Sequence, residues 1–258
     1  MSGALAGRVA LVTGAARGMG ASIAAALAAE GCSVASLDLA RAQAALDARA
    51  SALGNGAIAV VADITDQDQV SRAFATVRER LGRIDILVNN AGMAESAPFA
   101  RTDLAIWQRM LAVNLTGTYL CAREAYITMA KQDYGRIVNI SSTAGLTGIA
   151  YVTAYCAAKH GVIGLTRSLA LEAAKTNVTV NAVCPGYTET DLVKDAIANI
   201  MAKTGKSEAE ARAALVSGNP QGRLIQPEEI AHTVLWLCQP ASHSVTGQAI
   251  AVAGGEVM

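Results

Sequence analysis

At 258 residues the chain is long enough to bury a large core, and its 21 basic residues are matched by 21 acidic ones, so no net field favours a nucleic acid or an anionic membrane surface. Five scattered cysteines without a C-x-x-C pair and three histidines at unrelated spacings exclude a recognisable disulfide framework and a zinc or iron site. The N-terminus lacks a basic start followed by an apolar run, and no stretch has the length of a spanning helix, so a cytoplasmic protein with a small-molecule partner, no membrane segment and no metal is expected.

The first strand is expected in RVALVT (8–13), followed by a glycine-rich turn and a helix over GASIAAALAAEG (20–31). SVASLD (33–38) and AIAVVA (57–62) read as the next strands, and QVSRAFATVRERLG (69–82) has helical spacing. IDILVN (84–89), RIVNIS (136–141), TVNAVC (179–184) and QAIAVA (248–253) complete about seven strands. Most are apolar on both faces, as strands covered on both sides must be. Strand alternating with helix predicts a single α/β domain, 1–258, with a doubly wound parallel sheet. The rhythm breaks between Cys184 and a helix expected after Pro227, where segments 190–205 and 207–218 read as two short helices, each closed by glycine. An excursion there, over 188–218, is where a helical lid on a ligand would be built.

Two constellations carry chemistry. Gly14, Gly18 and Gly20 lie between the first strand and the first helix, where backbone N–H groups can approach a phosphate at the helix N-terminus. Asp38 follows at the end of the second strand. A carboxylate there accepts hydrogen bonds from ribose hydroxyls and repels a 2′-phosphate, which points to NAD over NADP, although Arg17 or Arg41 could soften the repulsion. The second constellation is Tyr155 and Lys159, at i and i+4 on one helix face with no acidic residue nearby. An ammonium beside a phenol stabilises phenolate, so the phenolate is read as the partner of the lysine. Ser141 and Ser142, at the end of a strand, bring hydroxyls to the same sheet edge.

TGAARGMG (13–20), NNAG (89–92), Asn114 in VNLTG, Ser142, YCAAK (155–159) and CPGYTET (184–190) resemble, in order and spacing, the short-chain dehydrogenase/reductase family. The resemblance covers nearly the whole chain and implies a Rossmann-type fold with a nicotinamide dinucleotide, for which Asp38 points to NAD. It implies Tyr155 as catalytic acid/base, Lys159 as the residue that lowers its pKa and holds the nicotinamide ribose, and Ser142 as the group polarising the substrate oxygen. Asn114 would hold a water that links Lys159 to solvent. Cofactor contacts are implied for Gly14, Arg17, Gly18, Met19 and Gly20, for Asp38 and Leu39, and for Asp63 and Ile64 at the adenine. Asn90, Ala91 and Gly92 would run beside the adenosine half, and Pro185, Gly186, Thr188 and Thr190 would hold the carboxamide. The family also implies a homotetramer.

The lid resembles that of the D-3-hydroxybutyrate dehydrogenase branch, yet Ala94, Ala144 and Val152 stand where that branch grips a carboxylate. A pocket of Ala94, Ala144, Val152, Tyr187 and Met201 suits a hydrophobic secondary alcohol or a 3-hydroxyacyl thioester. An NADPH-dependent 3-oxoacyl reductase is the alternative within the family, and a noncatalytic dinucleotide-binding sensor the alternative outside enzymes.

Overall fold

The computed structural model describes residues 3–257. Seven strands form one sheet: β1 (Val9–Thr13), β2 (Ser33–Asp38), β3 (Ile58–Val61), β4 (Ile86–Asn89), β5 (Gly135–Ile140), β6 (Val178–Pro185) and β7 (Ala249–Val252). The helices among the described residues are α1 (Gly18–Ala29), α2 (Gln43–Leu53), α3 (Gln67–Leu81), α4 (Leu104–Leu111), α5 (Gly117–Met129), α6 (Thr153–Ala173), α7 (Asp191–Thr204), α8 (Glu208–Val216) and α9 (Pro227–Cys238). The spatial order is β3-β2-β1-β4-β5-β6-β7, and every neighbouring pair is parallel. The chain winds outward from β1 to β3, then returns beside β1 and winds the other way. That reversal opens a crevice at the carboxyl ends of β1 and β4, where sheets of this winding take their ligands.

β1 shows how the sequence makes the layers. Val9 and Leu11 face a core shared with Phe74 and Val77 of α3 and Met129 of α5, whereas Ala10 and Val12 face Ile23 and Leu27 of α1 and Ile230 and Val234 of α9. Side chains alternate across a strand, so a strand covered on both sides must be apolar at every position. α1 is alanine-rich all round because it is packed between the sheet and α9. All five cysteines are buried and unpaired, as small core residues.

The lid has a core of its own. Val193, Ile197, Ala211 and Leu224 pack together, with Tyr187 and Ile200 half-buried against them. Ser207 and Glu210 cap α8 reciprocally, and Gly205 closes α7. Arg212 of α8 donates two hydrogen bonds to Glu189, at 2.8 and 3.0 Å, which ties the second lid helix to the start of the first. The lid returns to the body through Asn219 and Pro220, seated on Gly254 and Gly255: a Cβ on the first would overlap Asn219 Oδ1, and one on the second would come 3.1 Å from Pro220 Cγ. Among the described residues no helix is long and apolar enough to cross a membrane.

Candidate active site

The glycine turn is fastened from β4. Asn90 Nδ2 donates to the carbonyls of Thr13 (2.9 Å) and Gly14 (3.0 Å), and Thr13 Oγ1 accepts from the N–H groups of Asn90 and Ala91, both at 3.0 Å. A Cβ on Gly20 would overlap the Gly14 carbonyl, so the turn closes this tightly only with glycine there. Arg17, the residue before α1, gives the first-turn N–H groups no side-chain acceptor, and that turn holds no acidic residue. The N–H groups of Gly18, Met19 and Gly20 therefore form an uncapped donor set suited to a phosphate. At the end of β2, Asp38 Oδ2 accepts from Ala16 N–H at 3.2 Å and Oδ1 from Leu39 N–H at 2.8 Å, which fixes the carboxylate beside the turn. These features fit a dinucleotide.

The catalytic cluster is assembled by β5 and α6. Ser141 Oγ donates to the Lys159 carbonyl at 3.0 Å and pins the helix to the strand end. Ser142 Oγ accepts from Ala144 N–H at 3.1 Å, which sets the rotamer that faces Tyr155. Lys159 is buried; its Nζ donates to the Ile140 carbonyl at 2.8 Å and lies 5.6 Å from the centre of the Tyr155 ring. Behind the cluster, Asn89 Nδ2 donates to Asn139 Oδ1 and Asn139 Nδ2 to Thr166 Oγ1, each at 2.9 Å, a buried polar line from β4 through β5 to α6.

Asn114 sits in a π-helical turn, Ala112–Thr116, between α4 and α5. Its Nδ2 donates to the carbonyls of Met93 (2.9 Å) and Met110 (3.0 Å), and its Oδ1 accepts from Met93 N–H at 3.2 Å. Such one-turn bulges recur at functional sites because they turn a residue out of helical register. A Cβ on Gly92 would stand 2.8 Å from Asn114 Oδ1 and 3.6 Å from Lys159 Nζ, so the space between amide and ammonium exists because residue 92 is glycine.

Burial pushes the Tyr155 phenol up to about 12, with Ser142 acting against it, and burial lowers Lys159 to about 8. The Lys159 ammonium is thus held by a backbone carbonyl while standing 5.6 Å from the centre of the Tyr155 ring.

The other expected residues take the following places. Ala144 is buried, at 1 % exposure. Ile64 is buried in the core against Gly117 of α5. Arg17 is exposed and pairs with Asp191 at the start of the lid, at 3.2 Å. Met201 is exposed on α7, whereas its neighbour Ile200 packs on the lid core. Thr188 Oγ1 donates to the Gly186 carbonyl (3.0 Å) and Thr190 Oγ1 to the Thr188 carbonyl (3.2 Å), which shapes the turn after Pro185. Asp63 Oδ1 accepts from Thr65 N–H and Oγ1 at 2.9 and 2.8 Å. Ala94, Val152 and Tyr187 are half-buried around the cluster.

Three residues escape a reading by motif. Arg49 of α2 donates to the Ala16 carbonyl at 3.4 Å and brings a guanidinium to the glycine turn. Tyr151 is 65 % exposed at φ +68°, left-handed backbone that costs a tyrosine about 1 kcal/mol, and its carbonyl accepts from Ala97 N–H. Glu256 lies against Gly186. Only the last had any signal in the sequence, an acid directly after a glycine pair.

A family model described as enoyl-(acyl carrier protein) reductase matches residues 14–256. A 3-oxoacyl-[acyl-carrier-protein] reductase of Synechocystis sp. is 42 % identical over 99 % of both chains, and a cis-4-hydroxycyclohexanecarboxylate dehydrogenase of Sinomonas cyclohexanicum is 40 % identical over 99 % of this chain and 98 % of that one. A crystal structure of an actinorhodin polyketide ketoreductase variant with NADPH superposes with a TM-score of 0.92 at 35 % identity, covering 99 % of each chain. The chain belongs to the short-chain dehydrogenase/reductase family. It is an oxidoreductase acting on a CH–OH or keto group with a nicotinamide dinucleotide.

Proposed function

We propose that the protein is an NAD-dependent oxidoreductase of a hydrophobic secondary alcohol or a 3-hydroxyacyl thioester and the corresponding ketone. The bound nicotinamide supplies or accepts the hydride. Ser142 and Tyr155 hold the substrate oxygen, and Tyr155 moves the proton at that atom. With its phenol raised to about 12, Tyr155 rests as the acid that protonates the oxygen formed in ketone reduction. Lys159 stands beside the ring as the charge that stabilises phenolate when the proton has left.

The observation that supports NAD is Asp38, held by two N–H groups where a 2′-phosphate would meet its charge. A second reading, NADPH-dependent 3-oxoacyl reduction, is supported by Arg49 at the glycine turn and by the kinship with 3-oxoacyl reductases. An uncharged substrate is supported by the side chains near the cluster, among which Arg109 is already paired with Glu95 at 2.5 Å. We place the enzyme in the cytoplasm and read it as a homotetramer. Tyr119 and Ile127 of α5 and Leu171 of α6 are exposed apolar side chains that self-association would cover, and light scattering in solution tests the assembly.

The deciding measurement is kcat/KM with NAD⁺ and NADP⁺ on a panel of 3-hydroxyacyl-CoA thioesters and alicyclic alcohols. NAD⁺ is expected to be preferred, and Asp38→Ser to erode that preference about 10-fold, in keeping with the worth of a single charged contact. Preference of the wild type for NADP⁺ would replace this reading by the 3-oxoacyl reductase.

A further inference from the structure

The C-terminal segment after β7 brings a carboxylate to the base of the lid. Glu256 N–H bonds the Ala253 carbonyl at 3.2 Å, and this turn sends the side chain back toward the end of β6. Glu256 Oε2 lies 2.8 Å from the place a Cβ on Gly186 would take, and its Cγ lies 3.9 Å from the corresponding point on Gly218, just after α8. Three segments therefore converge on one half-buried carboxylate: the turn Pro185–Tyr187, the end of the second lid helix and the C-terminal segment.

Its neighbours sharpen the point. Glu189 and Glu208 are paired with Arg212, Asp191 with Arg17 and Lys194, and Glu229 with Arg223. Among the described residues the Glu256 carboxylate accepts no hydrogen bond and meets no cation, so the basic side chains of this region are engaged elsewhere and its field is left uncompensated. Burial raises its carboxyl above the usual range, and Tyr187 is raised by its own burial first and by the Glu256 charge second. A second carboxylate brought under the lid would be opposed by that field.

We propose that Glu256 is a specificity-determining residue that sets the charge selectivity of the substrate pocket, rejecting carboxylate-bearing ligands and admitting neutral ones. This rests on the reading of Tyr187 as a wall of the substrate site. Glu256 completes from the C-terminus what the apolar residues of the pocket begin: they offer an anion no donor, and Glu256 opposes it. The substrate class that follows is neutral at the lid side, a thioester, an amide or an alcohol, and not a free acid.

The test uses a matched pair of ligands, cyclohexanecarboxylate and cyclohexanecarboxamide, titrated into the wild-type complex with NADH, or with NADPH if that binds more tightly, and followed by nicotinamide fluorescence. The amide is expected to bind at least about 10-fold more tightly than the acid. In Glu256→Gln that ratio should fall to about 2-fold, and Glu256→Asp should restore it, consistent with the size of a single charge contact. Glu256→Met is a second neutral variant should the glutamine variant fail to fold, with thermal melting as the check. A ratio unchanged in the neutral variants, no discrimination by the wild type, or no binding of either ligand would overturn the proposal. Failure of the functional reading has a different signature: no turnover of any alcohol or ketone while the acid–amide ratio still responds to residue 256.

Discussion

The two edges of the sheet are built on opposite principles. At the amino edge, Asp85 is fully buried between Arg8 (3.3 Å) and Arg83 (2.6 Å), and it accepts Val9 N–H at 2.9 Å. Asp133 pairs with the same two arginines, at 3.6 and 2.8 Å. The Tyr134 ring lies between the guanidinium groups of Arg8 and Arg136, each 4.2 Å from its centre, and its hydroxyl donates to the Cys238 carbonyl. At the carboxyl edge, Lys159 has a carbonyl in place of a counter-ion, Tyr155 keeps its proton, the first turn of α1 is uncapped and Glu256 has no cation. Charges matched within the protein hold strands in place; polar groups left unmatched are available to a ligand.

If that division is right, substitutions at the two edges should separate chemistry from stability. Tyr155→Phe removes the proton donor and should lower kcat by at least about 10² to 10⁴, leaving the melting temperature and the NADH dissociation constant nearly unchanged. Parallel loss of cofactor affinity would break the division. Asp85→Asn strands two arginines at the other edge and should cost about 3 kcal/mol in denaturant unfolding, while kcat/KM of the folded enzyme is retained. A large fall in kcat/KM would mean that the amino edge reaches the site.

Lys159 sharpens the comparison through pH. Its folded pKa of about 8 lies below its ordinary 10.5, so between those values the unfolded chain binds a proton that the folded protein does not, and the stability owed to this group rises with pH. The wild type should therefore gain on Lys159→Met by up to about 3 kcal/mol as pH is raised from 8 to 10.5, measured by urea unfolding of both proteins. A constant difference would mean that the ammonium is well solvated. The smallest effect is expected at Tyr151: Tyr151→Asn suits left-handed backbone and should stabilise by about 0.5 kcal/mol, read as a rise in melting temperature.

The strands were legible because burial on both faces leaves only apolar residues to use, and β2 occupies the expected span residue for residue. The lid helices were legible from their closing glycines, with α7 and α8 inside the expected spans. The catalytic set was legible as a pattern, but its electrostatics were not. Whether Lys159 meets a phenol or the Ile140 carbonyl depends on where a strand end stops beside a helix, which spacing within the helix does not encode. The burial of Ala144 and Ile64 was not legible, because sequence tells that a residue is apolar and not whether it is covered. Glu256 and Gly186 lie far apart in the chain and meet only through the pairing of β6 with β7.

The π-helical turn around Asn114 has a bearing on evolution and on redesign. A π turn amounts to one residue more than an α-helix needs, so deletion of a single residue in Ala112–Thr116 would let α4 run into α5 as a regular helix with both flanks kept in register. What would be lost is the bulge itself: Asn114 would leave Met93 and Met110 while α5 kept its face to the sheet. At this place the count of residues is under constraint as firmly as their identity, because the extra residue serves the site and not the packing of the two helices.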